Sequence, residues 1–143
     1  MAKIYLTGAL SDRQDPFAWQ NELQESDEWD EHEFVNPYHL NEFELGSEEV
    51  YKSPEKIVEP ALEEVADCDG LLVRWDENAF LVGTAMEIME SYRHDVPAVI
   101  WYGGYKDNLS PWLSYHTRGS FEDKEKALQV LLGFAERGFT FSK

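Results

Sequence analysis

An α/β fold built on a parallel sheet is the class this sequence predicts, and three observations carry the prediction. Apolar runs of strand length recur at residues 3–7, 70–75 and 97–102. Between them lie segments whose apolar residues return at helical spacing. Strands alternating with helices in this way make βαβ units, whose strands run parallel. The 143 residues suit one domain, 1–143. At that size roughly two-thirds of the unfolded surface is buried on folding, so the core needs no staples.

Composition narrows the class. An apolar content of 43% and an aromatic content of 14% exclude a disordered chain. No apolar run approaches bilayer length, and the first residues lack the long apolar segment of a signal peptide. A cytoplasmic protein without a membrane partner is the expectation. The lone Cys68 has no partner for an intrachain disulfide and reads as a packed small residue rather than a nucleophile. Net charge is −17, from 29 acidic and 12 basic residues spread along the chain. That excess argues against a nucleic-acid polymer as partner, because phosphate contacts need basic patches. It reads as a surface adapted to high salt, hence a halophilic source, with an acidic mesophilic protein as the alternative.

Each element follows in order. Residues 3–7 form a short buried strand that ends at Gly8, and a polar turn containing Ser11, Asp12 and Arg13 follows. Pro16, with Asp15 as N-cap, opens a helix carrying Phe17, Trp19 or Gln20, and Leu23 inward. Phe34 and Val35 make a second strand, stopped at Asn36-Pro37. Residues 38–51, with Tyr38, His39, Asn41, Phe43 and Gly46, show no clean period; a loop of that length is a lid, a site wall, or holds a short helix. Ser53-Pro54-Glu55 starts a helix with Ile57, Val58, Ala61, Leu62 and Val65 on its apolar face, and Pro60 should kink or restart it. The third strand spans residues 70–75. A helix from Thr84 to about His94 turns Met86, Met89 or Glu90, and Tyr92 or Arg93 inward. A fourth strand ends at Gly103-Gly104, and residues 108–116 form a loop or short helical turn. The last helix, residues 122–137, buries Ala127, Val130, Leu131, Phe134 and Ala135 and is capped by Gly138. Four to five parallel strands flanked by helices, joined by right-handed crossovers, make a flavodoxin-like (Rossmann-like) single domain.

No phosphate-binding loop, dinucleotide fingerprint or nucleophile elbow is present, and no cofactor is expected. His32, His39, His94 and His116 lack ligand spacing; they read as surface or loop residues, and no metal is expected. His116 stands out because it shares a loop after the fourth strand with Ser110, Trp112 and Tyr115. In open α/β sheets, ligands bind beyond the carboxyl ends of the strands. The loop Asp76-Glu77-Asn78 and the step Gly83-Thr84 therefore point to the site, and Glu87 projects from the first turn of the helix that follows. Glu87 reads two ways. Thr84-x-x-Glu87 has capping-box spacing. Alternatively, a carboxylate near a helix N-terminus, kept anionic there, is a nucleophile for a sugar carbon.

Four segments in order then carry a resemblance: Lys3-Ile4-Tyr5-Leu6-Thr7-Gly8, Val35-Asn36-Pro37-Tyr38, Asp67-Cys68-Asp69-Gly70-Leu71-Leu72-Val73 and Gly83-Thr84-Ala85-Met86-Glu87-Ile88. Together they resemble the nucleoside 2-deoxyribosyltransferase family, over residues 3 to about 118. The resemblance implies a flavodoxin-like fold and transfer of 2-deoxyribose between nucleobases, or, in a related branch, hydrolysis of the N-glycosidic bond of nucleotides. It implies Glu87 as the nucleophile, Tyr5 as its hydrogen-bonding neighbour, and Asp76, Glu77 and Asn78 near base or sugar. Gly8 would allow close ligand approach, and Asn36, Pro37, Gly83, Thr84, Ser110 and His116 complete the candidate substrate-binding set. The partner would be a small nucleoside or nucleotide, with Ser11 and Arg13 available to a 5′-phosphate. The assembly would be a homodimer or a higher homo-oligomer in which a neighbour's loop closes the site, with the aromatic stretches at Trp101-Tyr102 and Pro111-Trp112-Leu113 as candidate contacts.

Two positions depart from the family pattern. Leu81 stands where an aspartate commonly precedes the Val-Gly pair, and Ala61 stands near a second expected aspartate. Those acids help protonate the leaving base, a role worth roughly two to four orders of magnitude. Asp76, Glu59 or a neighbour's carboxylate would have to replace them. Failing that, the chain is a catalytically silent nucleoside- or nucleotide-binding module.

Overall fold

Runs rich in β-branched and aromatic residues lie flat in a sheet, and the intervening amphipathic segments cover its two faces. The computed structural model describes residues 1–11, 14–39, 48–105 and 108–137, without the side chains of His39, Glu49 and Val50. The elements are β1 (Lys3–Gly8), α1 (Ala18–Glu25), β2 (Glu33–Val35), a 3-10 turn (Pro37–His39), α2 (Glu48–Lys52) and α3 (Glu55–Asp67). They continue with β3 (Gly70–Asp76), α4 (Val82–Arg93), β4 (Ala98–Gly103), α5 (Pro111–His116), β5 (Ser120–Phe121) and α6 (Lys124–Glu136). Every pairing is parallel, and the order is β2-β1-β3-β4-β5. This is the flavodoxin-like arrangement, in which the chain reverses direction across the sheet between β1 and β3. The expected fourth strand is present, and Ser120–Phe121 adds a fifth.

Strand alternation divides the core in two. Ile4, Leu6, Leu72 and Val99 face one side, where Trp19 and Leu23 of α1 and Leu128, Leu131 and Leu132 of α6 cover them. Tyr5, Leu71, Val73, Ala98 and Ile100 face the other, against Val65 of α3, Ile88 of α4 and Leu113 of α5. Cys68 is buried in this second cluster, where burial pushes its thiol up to about 12, leaving it protonated and inert at neutral pH.

Several local expectations are corrected. Helix α1 begins at Ala18 rather than after an Asp15 cap; the Ser11 hydroxyl in the preceding loop accepts from the Trp19 amide at 3.2 Å. Helix α3 begins at Glu55 as expected but runs through Pro60 without restarting, and of its apolar face only Val65 is buried, with Val58 48% exposed. Helix α4 begins at Val82 and turns Thr84, Ile88 and Ser91 to the sheet, leaving Met86 and Met89 exposed. The reason is space: small hydroxyl side chains let α4 approach the sheet closely, and the Ser91 hydroxyl is satisfied by the Ile88 carbonyl at 2.7 Å. Helix α6 buries Leu128 and Leu132 with Ala127 and Leu131, while Val130, Phe134 and Ala135 are only partly covered. Gly138 lies outside the described residues, as do Asp12, Arg13, Asn41, Phe43 and Gly46. No described helix is long and apolar enough to cross a membrane.

Two of the histidines are buried rather than exposed. His32 accepts from the Ala2 amide at 3.1 Å and fastens the start of β1. His116 packs edge-on against Tyr92 and Tyr115.

Gly8 ends β1 at φ +129°, and a Cβ there would come within 2.0 Å of the Arg74 carbonyl, the atom that accepts from Ala9 N–H at 2.9 Å. Only glycine fits this close approach of β1 to β3. Gly8→Ala is expected to lower the free energy of unfolding by about 1–3 kcal/mol or more, read from urea denaturation. An unchanged midpoint would contradict the packing described.

Candidate active site

The carboxyl ends of β1, β2 and β3 open onto a cleft of about 420 Å³. Gly8, Ala9 and Leu10 after β1 form one wall, with Tyr38 from the 3-10 turn after β2. Asp76, Asn78, Ala79, Phe80 and Leu81, between β3 and α4, form the other. The cleft thus lies at the topological switch point, where ligands bind in open α/β sheets.

Period-two alternation aims Tyr5 and Thr7 of β1 at the α4 face of the sheet, and the helical offset of three residues puts Thr84 and Glu87 on the same side of α4. The four side chains meet. The Tyr5 hydroxyl donates a short hydrogen bond to Glu87 Oε2, and Thr7 Oγ1 donates to Glu87 Oε1 at 2.7 Å. Thr7 Oγ1 and Thr84 Oγ1 are 3.0 Å apart. This geometry overturns the capping-box reading. The residue at the N-cap is Leu81, without a side-chain cap, and both Thr84 and Glu87 turn inward instead of back to the helix end.

Burial is the largest influence on Glu87 and raises its pKa above the ordinary glutamate value; the hydrogen bonds from Tyr5 and Thr7 pull the other way. Tyr5 is fully buried, and burial together with the adjacent Glu87 charge pushes its phenol far up, so it stays a donor at any physiological pH. Burial also raises Tyr38, followed by the charge of Glu87. Glu87 is not part of the cleft wall itself. Tyr38 borders the cleft and is near enough to Glu87 for that charge to add to the upward push on its phenol. Tyr38 is held by a 3.1 Å bond from its amide to Asn36 Oδ1 and by stacking on Phe17, 4.8 Å between ring centres.

The other candidates are distributed as follows. Asp76 lies in the cleft wall and accepts from the Asn78 amide at 3.2 Å. Glu77 turns instead to the loop after β4, accepting from the Tyr105 amide at 3.2 Å. Asn36 and Pro37 form the turn that carries Tyr38, and the buried Asn36 Nδ2 has no partner among the described residues. Gly83 is exposed in the first turn of α4 with open space around its Cα. Ser110 caps α5 by accepting from the Trp112 amide at 3.2 Å, and His116 Nδ1 is 2.6 Å from the Trp112 carbonyl; neither lines the cleft. Leu81 does line it, so the position where an acid was sought faces the cleft with an apolar side chain. Ala61 and Glu59, on α3, are not among the wall residues.

Thr7 and Tyr38 escaped nomination from the sequence. Thr7 was within reach of the strand period, since it lies two residues after Tyr5 on one face. Tyr38 lies in the stretch read as a lid or site wall and in the segment Val35-Asn36-Pro37-Tyr38, but carries no role of its own there.

Fold and site define a flavodoxin-like α/β protein with a partly buried, hydroxyl-clamped carboxylate at the switch point. No protein-family model and no curated protein matches the chain in sequence. Among solved structures, it is similar to a 2-deoxyribosyltransferase from the psychrotolerant bacterium Bacillus psychrosaccharolyticus, with a TM-score of 0.65, 22% identity, and coverage of 87% of this chain and 89% of that one. A weaker likeness, with a TM-score of 0.43 and 11% identity over 96% of this chain and 94% of the other, is to the flavoenzyme FerB, an NAD(P)H:(acceptor) oxidoreductase from Paracoccus denitrificans. The first likeness establishes the shared fold.

Tyr5→Phe keeps the buried ring and removes one donor to the carboxylate. Because that donor favours the ionised form, its loss is expected to raise the Glu87 pKa further, followed as the pH dependence of its side-chain carboxyl signal in ¹³C-glutamate-labelled protein. A downward shift would contradict the bonding described.

Proposed function

We propose that the protein transfers 2-deoxyribose between nucleobases, with Glu87 as nucleophile. The observation that carries this reading is the partly buried Glu87 carboxylate, held on both oxygens by hydroxyl donors at the switch point. The ordered sequence segments and the fold shared with a 2-deoxyribosyltransferase support it.

The chemistry parallels a retaining glycosidase. A Glu87 oxygen bonds to the anomeric carbon as the bond from that carbon to the base nitrogen breaks. The electron pair leaves with the base, which takes a proton from a general acid. An incoming base then attacks the anomeric carbon, the carbon–Glu87 bond breaks, its electron pair returns to the carboxylate, and the incoming base returns the proton. Among the described lining residues, Asp76 is the carboxyl group available to this second role. Tyr5 and Thr7 hold the carboxylate at one rotamer, Gly8 lets the substrate approach the backbone, and Tyr38 offers a ring beside the base. In the aromatic stretches expected to make subunit contacts, Tyr102 and Leu113 are buried in the core and Trp112 is the one exposed aromatic residue, so a homo-oligomer would pair through Trp112 together with the exposed Val82, Met86 and Tyr115.

Leu81 on the cleft wall favours a second reading. With an apolar residue in place of an acid, activation of the leaving base is weaker, and the protein either hydrolyses the N-glycosidic bond or binds its nucleoside without turnover. Ser11 is engaged by the Trp19 amide, so a 5′-phosphate site built on it would have to displace that contact.

Incubation with a deoxynucleoside and a second free base, in molar salt to screen the −17 charge, separates these readings. Exchanged nucleoside is expected, and free sugar would indicate the hydrolase. Glu87→Gln should lower turnover by about three orders of magnitude or more. Since the raised Glu87 must be ionised to attack, the acid limb of the rate should lie above the ordinary glutamate range. Binding without turnover in both proteins would contradict enzymatic activity.

A further inference from the structure

A threonine hydroxyl has one proton to give. Thr7 Oγ1 lies 2.7 Å from Glu87 Oε1, and an ionised carboxylate only accepts, so the Thr7 proton goes to Glu87. The contact of 3.0 Å between Thr7 Oγ1 and Thr84 Oγ1 then has a single assignment: Thr84 donates and Thr7 accepts. Both hydroxyls are buried, at 2% and 6% exposure, so water does not compete for these protons.

We propose that Thr84 is a positioning residue which, by donating to Thr7, fixes the Thr7 hydroxyl in the rotamer that donates to Glu87. The chain Thr84 to Thr7 to Glu87 is ordered in one direction, and each bond polarises the next. Without the Thr84 proton, the Thr7 hydroxyl loses the partner that holds its own proton toward Glu87. Because α4 supplies both Thr84 and Glu87 while β1 supplies Thr7, the chain also registers the helix against the strand. Its consequence for catalysis rests on Glu87 acting as nucleophile. In that case the donors matter most when the glycosyl–Glu87 bond breaks and the negative charge returns to Oε1 and Oε2.

The test separates the positioning role from that reading. The Glu87 carboxyl is titrated by ¹³C NMR in wild type, Thr7→Val, Thr84→Val, Thr84→Ser and the double valine variant, all without substrate. The titratable groups known to face Glu87 are Tyr5 on β1 and Tyr38 on the 3-10 turn, and both stay neutral through the range scanned. Thr7→Val should shift the Glu87 titration upward, and Thr84→Val should shift it upward by a smaller step. Thr84→Ser should restore the wild-type curve. The double variant should match Thr7→Val alone, because Thr84 acts only through Thr7. An unchanged titration in Thr84→Val, or additive shifts in the double variant, would overturn the proposal. If Thr84→Val fails to fold, Thr84→Ala, a good helix former, carries the same comparison. In turnover, Thr84→Val should lose roughly tenfold in kcat with little change in KM, and serine should recover it. Titration shifts as stated, combined with a fully active Glu87→Gln, would retain the positioning role and overturn only the nucleophile.

Discussion

The structure turns on holding one partly buried carboxylate against the sheet. Burial disfavours the charged form of Glu87, and two hydroxyl donors from β1 offset part of that cost. Most of the surrounding design follows from this balance. Tyr5 and Thr7 occupy alternate positions of one strand, which puts both on the α4 face of the sheet. Helix α4 must turn Thr84 and Glu87 to the sheet, which leaves its methionines outside. Gly8 must bring β1 against the Arg74 carbonyl, so that the chain leaves the sheet at the edge of the cleft.

A carboxylate in this state is suited to attack. Its pKa is raised, so its charge is not overstabilised, yet both oxygens are held in place. The neighbouring cleft mixes polar groups, Asp76 and Asn78, with apolar ones, Leu10, Phe80 and Leu81. Such a lining suits a ligand with a flat apolar part and a polar part. On the proposed reading, the acid for the leaving base is the less developed half of the site, because Leu81 faces the cleft where an acid was expected.

How much of this was legible in the sequence differs from element to element. The parallel sheet was legible, because strand-length apolar runs alternated with helical spacing. The fifth strand was not, since a pair of residues, Ser120–Phe121, gives no period to read. Helix starts were misread at Asp15 and Thr84. In both places a residue with capping chemistry stood near the true start, while tertiary contacts fixed the end: Ser11 reaching the Trp19 amide, and Thr84 reaching Thr7. Inward faces failed where the core was reached by small residues, as in α4, since hydrophobicity does not register Thr84 or Ser91. Glu87 and Tyr5 are legible through the family resemblance, and Thr7 follows only once strand alternation is applied from Tyr5, because its contact with Glu87 spans 80 residues.

The central claim is that Glu87 forms a covalent bond to the sugar. The most direct measurement uses a 2-deoxy-2-fluoro nucleoside, whose electron-withdrawing fluorine slows the breakdown of a glycosyl ester. Intact-mass analysis followed by peptide mapping should find one fluorosugar added per chain, on the peptide and residue of Glu87, and none in Glu87→Gln. An adduct on any other residue, or turnover of a deoxynucleoside by Glu87→Gln at the wild-type rate, would contradict the account.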